Sequence, residues 1–226
     1  MNTDETRDAQ HSDADAFTKM DRMYGVQRYF YDLTRKFYLL GRDRLLGEMD
    51  IQSGQTVLEI GCGTGRNLVI LAKRHKDARF FGLDASMAML EVADARIDRL
   101  RLRNIALVNA LADDFYYNST FDLTERLDKI FFSYSISMIP EWQAAVDNAL
   151  SNLKPGGELF IVDFFDQKDL PPWFRSMLTN WLKAFHVRFW TDLLPYLNTL
   201  ETQGLGSLIV TPLFRRYSFI ARFTKF

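Results

Sequence analysis

Three glycines stand at alternate positions in Glu59-Ile60-Gly61-Cys62-Gly63-Thr64-Gly65, directly after an apolar run, Val57 to Ile60, that reads as a buried strand. A helical pattern, Arg66 to Arg74, follows at once. Strand, glycine turn and helix form the arrangement in which backbone N–H groups can face a ligand. Glycine is required where a Cβ would block the approach. A second apolar run, Ala78 to Asp84, ends in an acid 19 residues beyond Gly65. A carboxylate at that strand end can accept both hydroxyls of a ribose. The dinucleotide fingerprint wants its third glycine at the sixth position of the turn. Arg66 occupies that place, which disfavours a nicotinamide oxidoreductase.

The elements that position these groups follow in order. Ser86 suits the N-cap of a helix from Met87 to about Arg101, which leaves Asp84 for the ribose. Ile105 to Asn109 read as a third strand, with Leu111, Ala112, Asp113 and Asp114 behind it. Lys129 to Ser135 read as a fourth strand and its exit, and a helix from Pro140 to Leu153 follows, with proline in its first turn. Leu153-Lys154-Pro155-Gly156-Gly157 reads as a turn before a fifth strand, Leu159 to Phe164. Leu193 to Gln203 read as a further helix. Leu208 to Leu213 and Ser218 to Thr224 read as an antiparallel pair closing the sheet.

The Glu-x-Gly-x-Gly-x-Gly pattern resembles the first motif of class I S-adenosylmethionine-dependent methyltransferases, and the Leu-Lys-Pro-Gly-Gly turn is a second resemblance at the expected distance. The resemblance covers about Gln55 to the C-terminus. It implies an α/β fold: a Rossmann-like seven-stranded class I methyltransferase sheet with helices on both faces. It also implies S-adenosyl-L-methionine as cofactor and S-adenosyl-L-homocysteine as product. The cofactor contacts it implies are Glu59, Gly61, Gly63, Gly65, Asn67, Asp84, Ala85, Ser86 and Met87. In the commonest register the adenine acceptor falls on Leu111, whose side chain cannot accept. Asp113, or the backbone N–H of Ala112 alone, is left for adenine. The end of the fourth strand faces the methyl group in this class, so Ser133, Tyr134, Ser135 and Ser137 are candidate contacts.

Composition narrows the rest. The chain has 226 residues, 47% hydrophobic, enough for one α/β domain with a large core. A net charge of −1 gives no global case for nucleic acid. The single cysteine, Cys62, excludes an intramolecular disulfide and suits the turn as a small residue rather than a nucleophile. His11, His75 and His186 lack metal-ligand spacing, so no metal is expected. No signal-peptide core or run of about 18 apolar residues is present, and a cytoplasmic chain is expected.

Residues 1–18 are polar and read as a disordered tail. Residues 19–50 read as an N-terminal helical cap, with Tyr24, Tyr29, Tyr31 and Tyr38 among Arg28, Arg35, Lys36 and Arg42; residues 51–226 are the catalytic domain. From Pro171 to Phe226 seven basic residues face two acids, so this quarter is near +5. Within it, 171–190 recurs in Trp, Phe, Met and Leu at three- and four-residue steps with a basic border. That pattern fits a core helix or a helix meeting a lipid surface.

The run Met23-Tyr24-Gly25-Val26-Gln27-Arg28-Tyr29-Phe30-Tyr31-Asp32-Leu33-Thr34-Arg35-Lys36-Phe37-Tyr38-Leu39-Leu40-Gly41-Arg42-Asp43 resembles the start of bacterial diacylglyceryl-homoserine N-methyltransferases, which make a betaine lipid. This implies three successive N-methylations of a lipid head group and peripheral association with the inner face of a membrane. The enzyme supplying diacylglyceryl-homoserine is the implied partner. Tyr134, Asp32 or a water chain is left to take the amine proton. Tyr24, Tyr29, Tyr31 and Tyr38 suit alkylammonium cations, and Arg28 or Arg42 suits a carboxylate. Tyr134, Tyr38 and Tyr31 are the catalytic candidates, with Tyr38 and Arg42 also expected at the cofactor. A phospholipid (phosphatidylethanolamine) or small-amine N-methyltransferase is the alternative, and a non-catalytic cofactor-binding protein is the reading from another class.

Overall fold

The computed structural model describes residues 39–173, 175–178 and 191–226. Within it the helices are α1 (Arg42–Glu48), α2 (Arg66–Arg74), α3 (Met87–Arg99), α4 (Trp142–Asn152) and α5 (Leu193–Thr202). The strands are β1 (Thr56–Ile60), β2 (Arg79–Asp84), β3 (Ile105–Asn109), β4 (Leu127–Ser133), β5 (Leu153–Phe164), β6 (Gly206–Leu213) and β7 (Ser218–Lys225). Residues 1–38, which include the expected tail and most of the expected cap, lie outside the described residues, as do 174 and 179–190 of the amphipathic segment.

The strands form one seven-stranded sheet in the order β3-β2-β1-β4-β5-β7-β6. The first five run parallel, and β7 lies antiparallel between β5 and β6. This is the expected Rossmann-like sheet. Strand order reverses between β1 and β4, which makes their carboxyl ends the topological switch point where ligands bind in open α/β sheets.

Alternation along the strands explains the two layers. Leu58, Ile60, Phe81, Leu83, Ile130, Phe132 and Ile161 share one core with Ala145, Val146 and Ala149 of α4 and Leu197 and Leu200 of α5. Val57, Phe80, Phe131, Phe160 and Val162 share the other with Leu45 and Leu46 of α1 and Leu68 and Leu71 of α2. Strands buried on both faces read as near-continuous apolar runs, as these do. Gly82 of β2 lets α2 pack close, because a Cβ there would lie 2.6 Å from Leu68 Cδ1 and 2.7 Å from Leu107 Cδ2.

Several boundaries differ from expectation. α4 begins at Trp142 with Glu141 at its N-cap, so Pro140 precedes the helix instead of starting it. The Leu-Lys-Pro-Gly-Gly turn is absorbed into β5. Leu127 pairs with Leu153 and Lys129 with Glu158, so the longer β5 segment bulges out of register. Lys154 anchors that bulge to Asp128 at 3.0 Å, and Asp128 accepts from the Thr56 N–H at 2.7 Å. β4 stops at Ser133, because Tyr134 turns into a left-handed conformation with φ 56°.

Candidate active site

The glycine turn leaves β1 at the switch point with φ of 70°, 52° and 69° at Gly61, Gly63 and Gly65, a left-handed series that side chains oppose. At Gly61 space matters as much as conformation: an added Cβ would lie 2.4 Å from Ser135 Cβ. The turn's amides are largely engaged within the protein, which corrects the expectation that they face a ligand. Gly61 and Cys62 both donate to the Leu83 carbonyl (2.8 and 3.0 Å), and Gly65 donates to Cys62 (3.0 Å). Gly63 donates to Asp84 Oδ2 (2.7 Å). The turn offers closeness more than donors.

Asp84 ends β2 as expected and is buried. Its second oxygen accepts from the Ser86 N–H at 2.9 Å. Ser86 caps α3, with its hydroxyl accepting from Met89 N at 3.4 Å. Ala85 precedes it, and Met87 at the start of α3 is exposed. Glu59 is buried in β1, and Asn67 on α2 donates to its Oε1 at 2.7 Å, so two motif residues hold each other. Burial, then the charges of Asp84 and Glu59, push the Cys62 thiol well above its ordinary pKa. Burial is the larger cause, and the two acids act in the same direction. Their charges suit a cationic ligand and oppose a pyrophosphate.

Beyond β3, Leu111 and Asp114 form an isolated bridge, and the Ala112 carbonyl accepts from Asn148 at 3.3 Å. Asp113 is exposed. Across the switch point, Ser135 Oγ donates to the Ile60 carbonyl at 2.7 Å. Ser133 Oγ, at the carboxyl end of β4, is buried with no hydrogen-bond partner among the described residues. An orphaned buried hydroxyl calls for an explanation, and a bound ligand supplies one.

Tyr134 departs from its expected role. Its backbone N–H donates to Val162, and its hydroxyl donates to the Leu40 carbonyl, which also accepts from Ser218 Oγ at 3.1 Å. Burial pushes the phenol well above its ordinary pKa. A donor so held is an anchor, not a proton acceptor. It ties the chain just before α1 to the end of β4. Arg42 is buried on α1, and its charge acts on the Tyr134 phenol, which places it at this end of the sheet. Tyr31, Tyr38 and Asp32 lie outside the described residues. Sequence reading missed Asp163 and Gln167, both buried at or just beyond the end of β5. The only signal was an acid interrupting the apolar run Leu159 to Phe164.

A seven-stranded sheet with β7 between β5 and β6, a glycine turn after β1 and a buried acid ending β2 make up a Rossmann-like methyltransferase fold. The chain belongs to the methyltransferase domain family, which matches residues 51–210. It is 24% identical over 151 residues to a demethylmenaquinone methyltransferase of Bacillus mycoides, covering 66% of this chain and 60% of the relative. It is 31% identical over 117 residues to a trans-aconitate 2-methyltransferase of Methylobacterium radiotolerans, covering 52% and 41%. These matches span about half the length of the relatives. A chain from the complex between the Haloferax volcanii Trm112 methyltransferase activator and a methyltransferase superposes with a TM-score of 0.67 at 15% identity, covering 91% of this chain and 96% of that one.

The cofactor of this family is S-adenosyl-L-methionine, and the residues present fit it. The turn carries no side chain at three positions, two buried acids, Glu59 and Asp84, stand beside it, and among the described residues Ser133 offers a hydroxyl without a partner.

Proposed function

We propose that this chain is an S-adenosyl-L-methionine-dependent N-methyltransferase that converts diacylglyceryl-homoserine to diacylglyceryl-trimethylhomoserine at the inner membrane surface. The cofactor supplies an electrophilic methyl group on sulfur. Asp84 takes the ribose hydroxyls, Glu59 and Asp84 together favour the cofactor's positive groups, and the 133–138 loop walls the methyl side. The protein's main contribution is to hold two reactants in line. Leu40, a described residue that follows the N-terminal aromatic stretch in sequence, lies at this end of the sheet against Tyr134 and Ser218, and the tyrosines of that stretch are suited by their chemistry to an alkylammonium head group.

The observation that supports a lipid substrate is the rim. The helical residues that follow β5 expose Trp173 (70%), Met177 (56%) and Arg175, and the β6–β7 tip exposes Phe214 (52%) and Arg215. The β5 end pairs with Ser218, so this tip lies at the same end of the sheet as the glycine turn. Apolar and basic side chains together suit an anionic bilayer surface. The other C-terminal cations are used elsewhere. Arg216 pairs with Asp166, whose carboxyl it holds down at about 2, and Arg222 and Lys225 lie along β7, where Lys225 donates to the Leu150 and Leu153 carbonyls. Among the described residues no helix is long and apolar enough to cross a membrane.

The test is a lipid extract from cells making this chain together with a homoserine-lipid synthase. Mass spectrometry should show mono-, di- and trimethylated homoserine lipid. Accumulation of unmethylated lipid would reject the substrate, and methylated phosphatidylethanolamine instead would establish the phospholipid alternative.

A further inference from the structure

The end of β5 carries a buried acid with a defined set of partners. Asp163 is 3% exposed. Its Oδ2 accepts from the Ser137 N–H at 3.1 Å and its Oδ1 from the Phe164 N–H at 2.7 Å. The Ser137 hydroxyl bonds to it as well. Ser137 sits in the single 3₁₀ turn Ile136–Met138 and is itself buried. Two residues earlier, Ser135 Oγ fastens the same loop to Ile60 at the end of β1. The loop is therefore stapled on both flanks, to β1 by Ser135 and to β5 by Asp163. Between the staples and the strand lie left-handed Tyr134 and unpartnered Ser133.

We propose that Asp163 is a positioning residue for methyl transfer: its ionised carboxylate holds Ser137, and with it the 133–138 loop, in the shape that receives the cofactor, and neutralising it loosens that loop. The proposal rests on the methyltransferase reading of the site. Three donors converge on this carboxylate, and donors favour the charged form. Burial opposes them and raises Asp163 to about 7, so its charge changes near neutral pH. Among the described residues, the ionisable groups around it are the Tyr134 phenol on the loop and, about that phenol, Tyr217 from the β6–β7 tip and Arg42 from α1. Phe219, its register partner on β7, is apolar.

The test is calorimetric titration of the full chain with S-adenosylhomocysteine at pH 6, 7 and 8. The wild type should bind about tenfold more weakly at pH 6 than at pH 8, on the order of one charged hydrogen bond. Asp163→Asn should bind weakly at all three, with a flat profile. Ser137→Ala should bind a few-fold more weakly than wild type while keeping the pH dependence, because the Ser137 N–H still reaches Asp163. Circular dichroism establishes that each variant is folded. If Asp163→Asn does not fold, unchanged binding by Ser137→Ala overturns the proposal. Wild-type affinity and pH profile in a folded Asp163→Asn also overturn it while leaving the cofactor site standing. No binding by the wild type at pH 8 would instead overturn the methyltransferase reading itself, and the proposal with it.

Discussion

Two carboxylates close two strand ends, and they do it by the same means. Asp84 ends β2 and takes the backbone N–H groups of Gly63 and Ser86. Asp163 sits near the end of β5 and takes those of Ser137 and Phe164. Each fastens an irregular loop to the carboxyl edge of the sheet, one on either side of the switch point. They differ in what lies around them. Asp84 ends β2 beside buried Glu59 of β1, and both charges act on the Cys62 thiol in the turn between them. Asp163 is fully buried, and burial raises it to about 7. The end of β2 and the end of β5 are thus closed alike, and the acid at the end of β5 is one whose charge changes near neutral pH.

The comparison breaks most severely at Gly61. Gly61→Val places a side chain at a left-handed position, with its first carbon 2.4 Å from Ser135 Cβ. Strain of about 1–3 kcal/mol and overpacking of about 1–3 kcal/mol act together. The expected result is loss of S-adenosylhomocysteine binding and a clear drop in Tm, read by calorimetry and thermal melting. Wild-type values for both would show that the turn relaxes freely.

Asp84→Ala tests the end of β2. It removes charge-assisted bonds of about 1.5–3 kcal/mol each. Part of that loss falls on stability, because Gly63 N and Ser86 N lose their acceptor, and part on cofactor affinity. If only Tm falls, Asp84 is a brace and not a ribose acceptor.

Asp163 tests the end of β5 through stability. An acid raised from 3.8 to about 7 contributes stability that is fully present below 3.8 and is lost as pH rises through about 7. The difference in Tm between Asp163→Asn and wild type should therefore move in the variant's favour from pH 5 to pH 8. A constant difference would place the titration elsewhere. The smallest expected effect is Ser135→Ala, which removes one neutral hydrogen bond to Ile60 O, about 1 kcal/mol. A double-mutant comparison with Asp163→Asn should show coupling, since both residues hold one loop. Strict additivity would mean that the two staples act independently.

Much of the first region was legible in the sequence, and less of the second. Glycines at fixed spacing and an acid ending an apolar run have local causes, so Gly61 to Gly65, Asp84 and the Ser86 cap could be read directly. Asp163 acts through Ser137, a partner 26 residues away in sequence, and only the β4–β5 register brings them together. Tyr134 was read as a candidate base because nothing local shows that its hydroxyl reaches Leu40, 94 residues earlier. The β5 bulge was read as a turn for a similar reason: Pro-Gly-Gly signals a break, and the pairing of Glu158 with Lys129 on the neighbouring strand restores the ladder. The charge near +5 of 171–226 does not stay together: among the described residues Arg216 pairs with Asp166 and Arg222 and Lys225 lie along β7, while Arg215 is exposed at the tip.

The account stands most directly on the claim that the carboxyl ends of β1 and β2 hold S-adenosyl-L-methionine, with Asp84 at the ribose. Calorimetric titration of S-adenosylhomocysteine into wild type and Asp84→Ala at pH 8 tests it. The account predicts one site per chain in the wild type and an affinity lower by about tenfold or more in a folded Asp84→Ala. Equal affinities in the two folded proteins would contradict it.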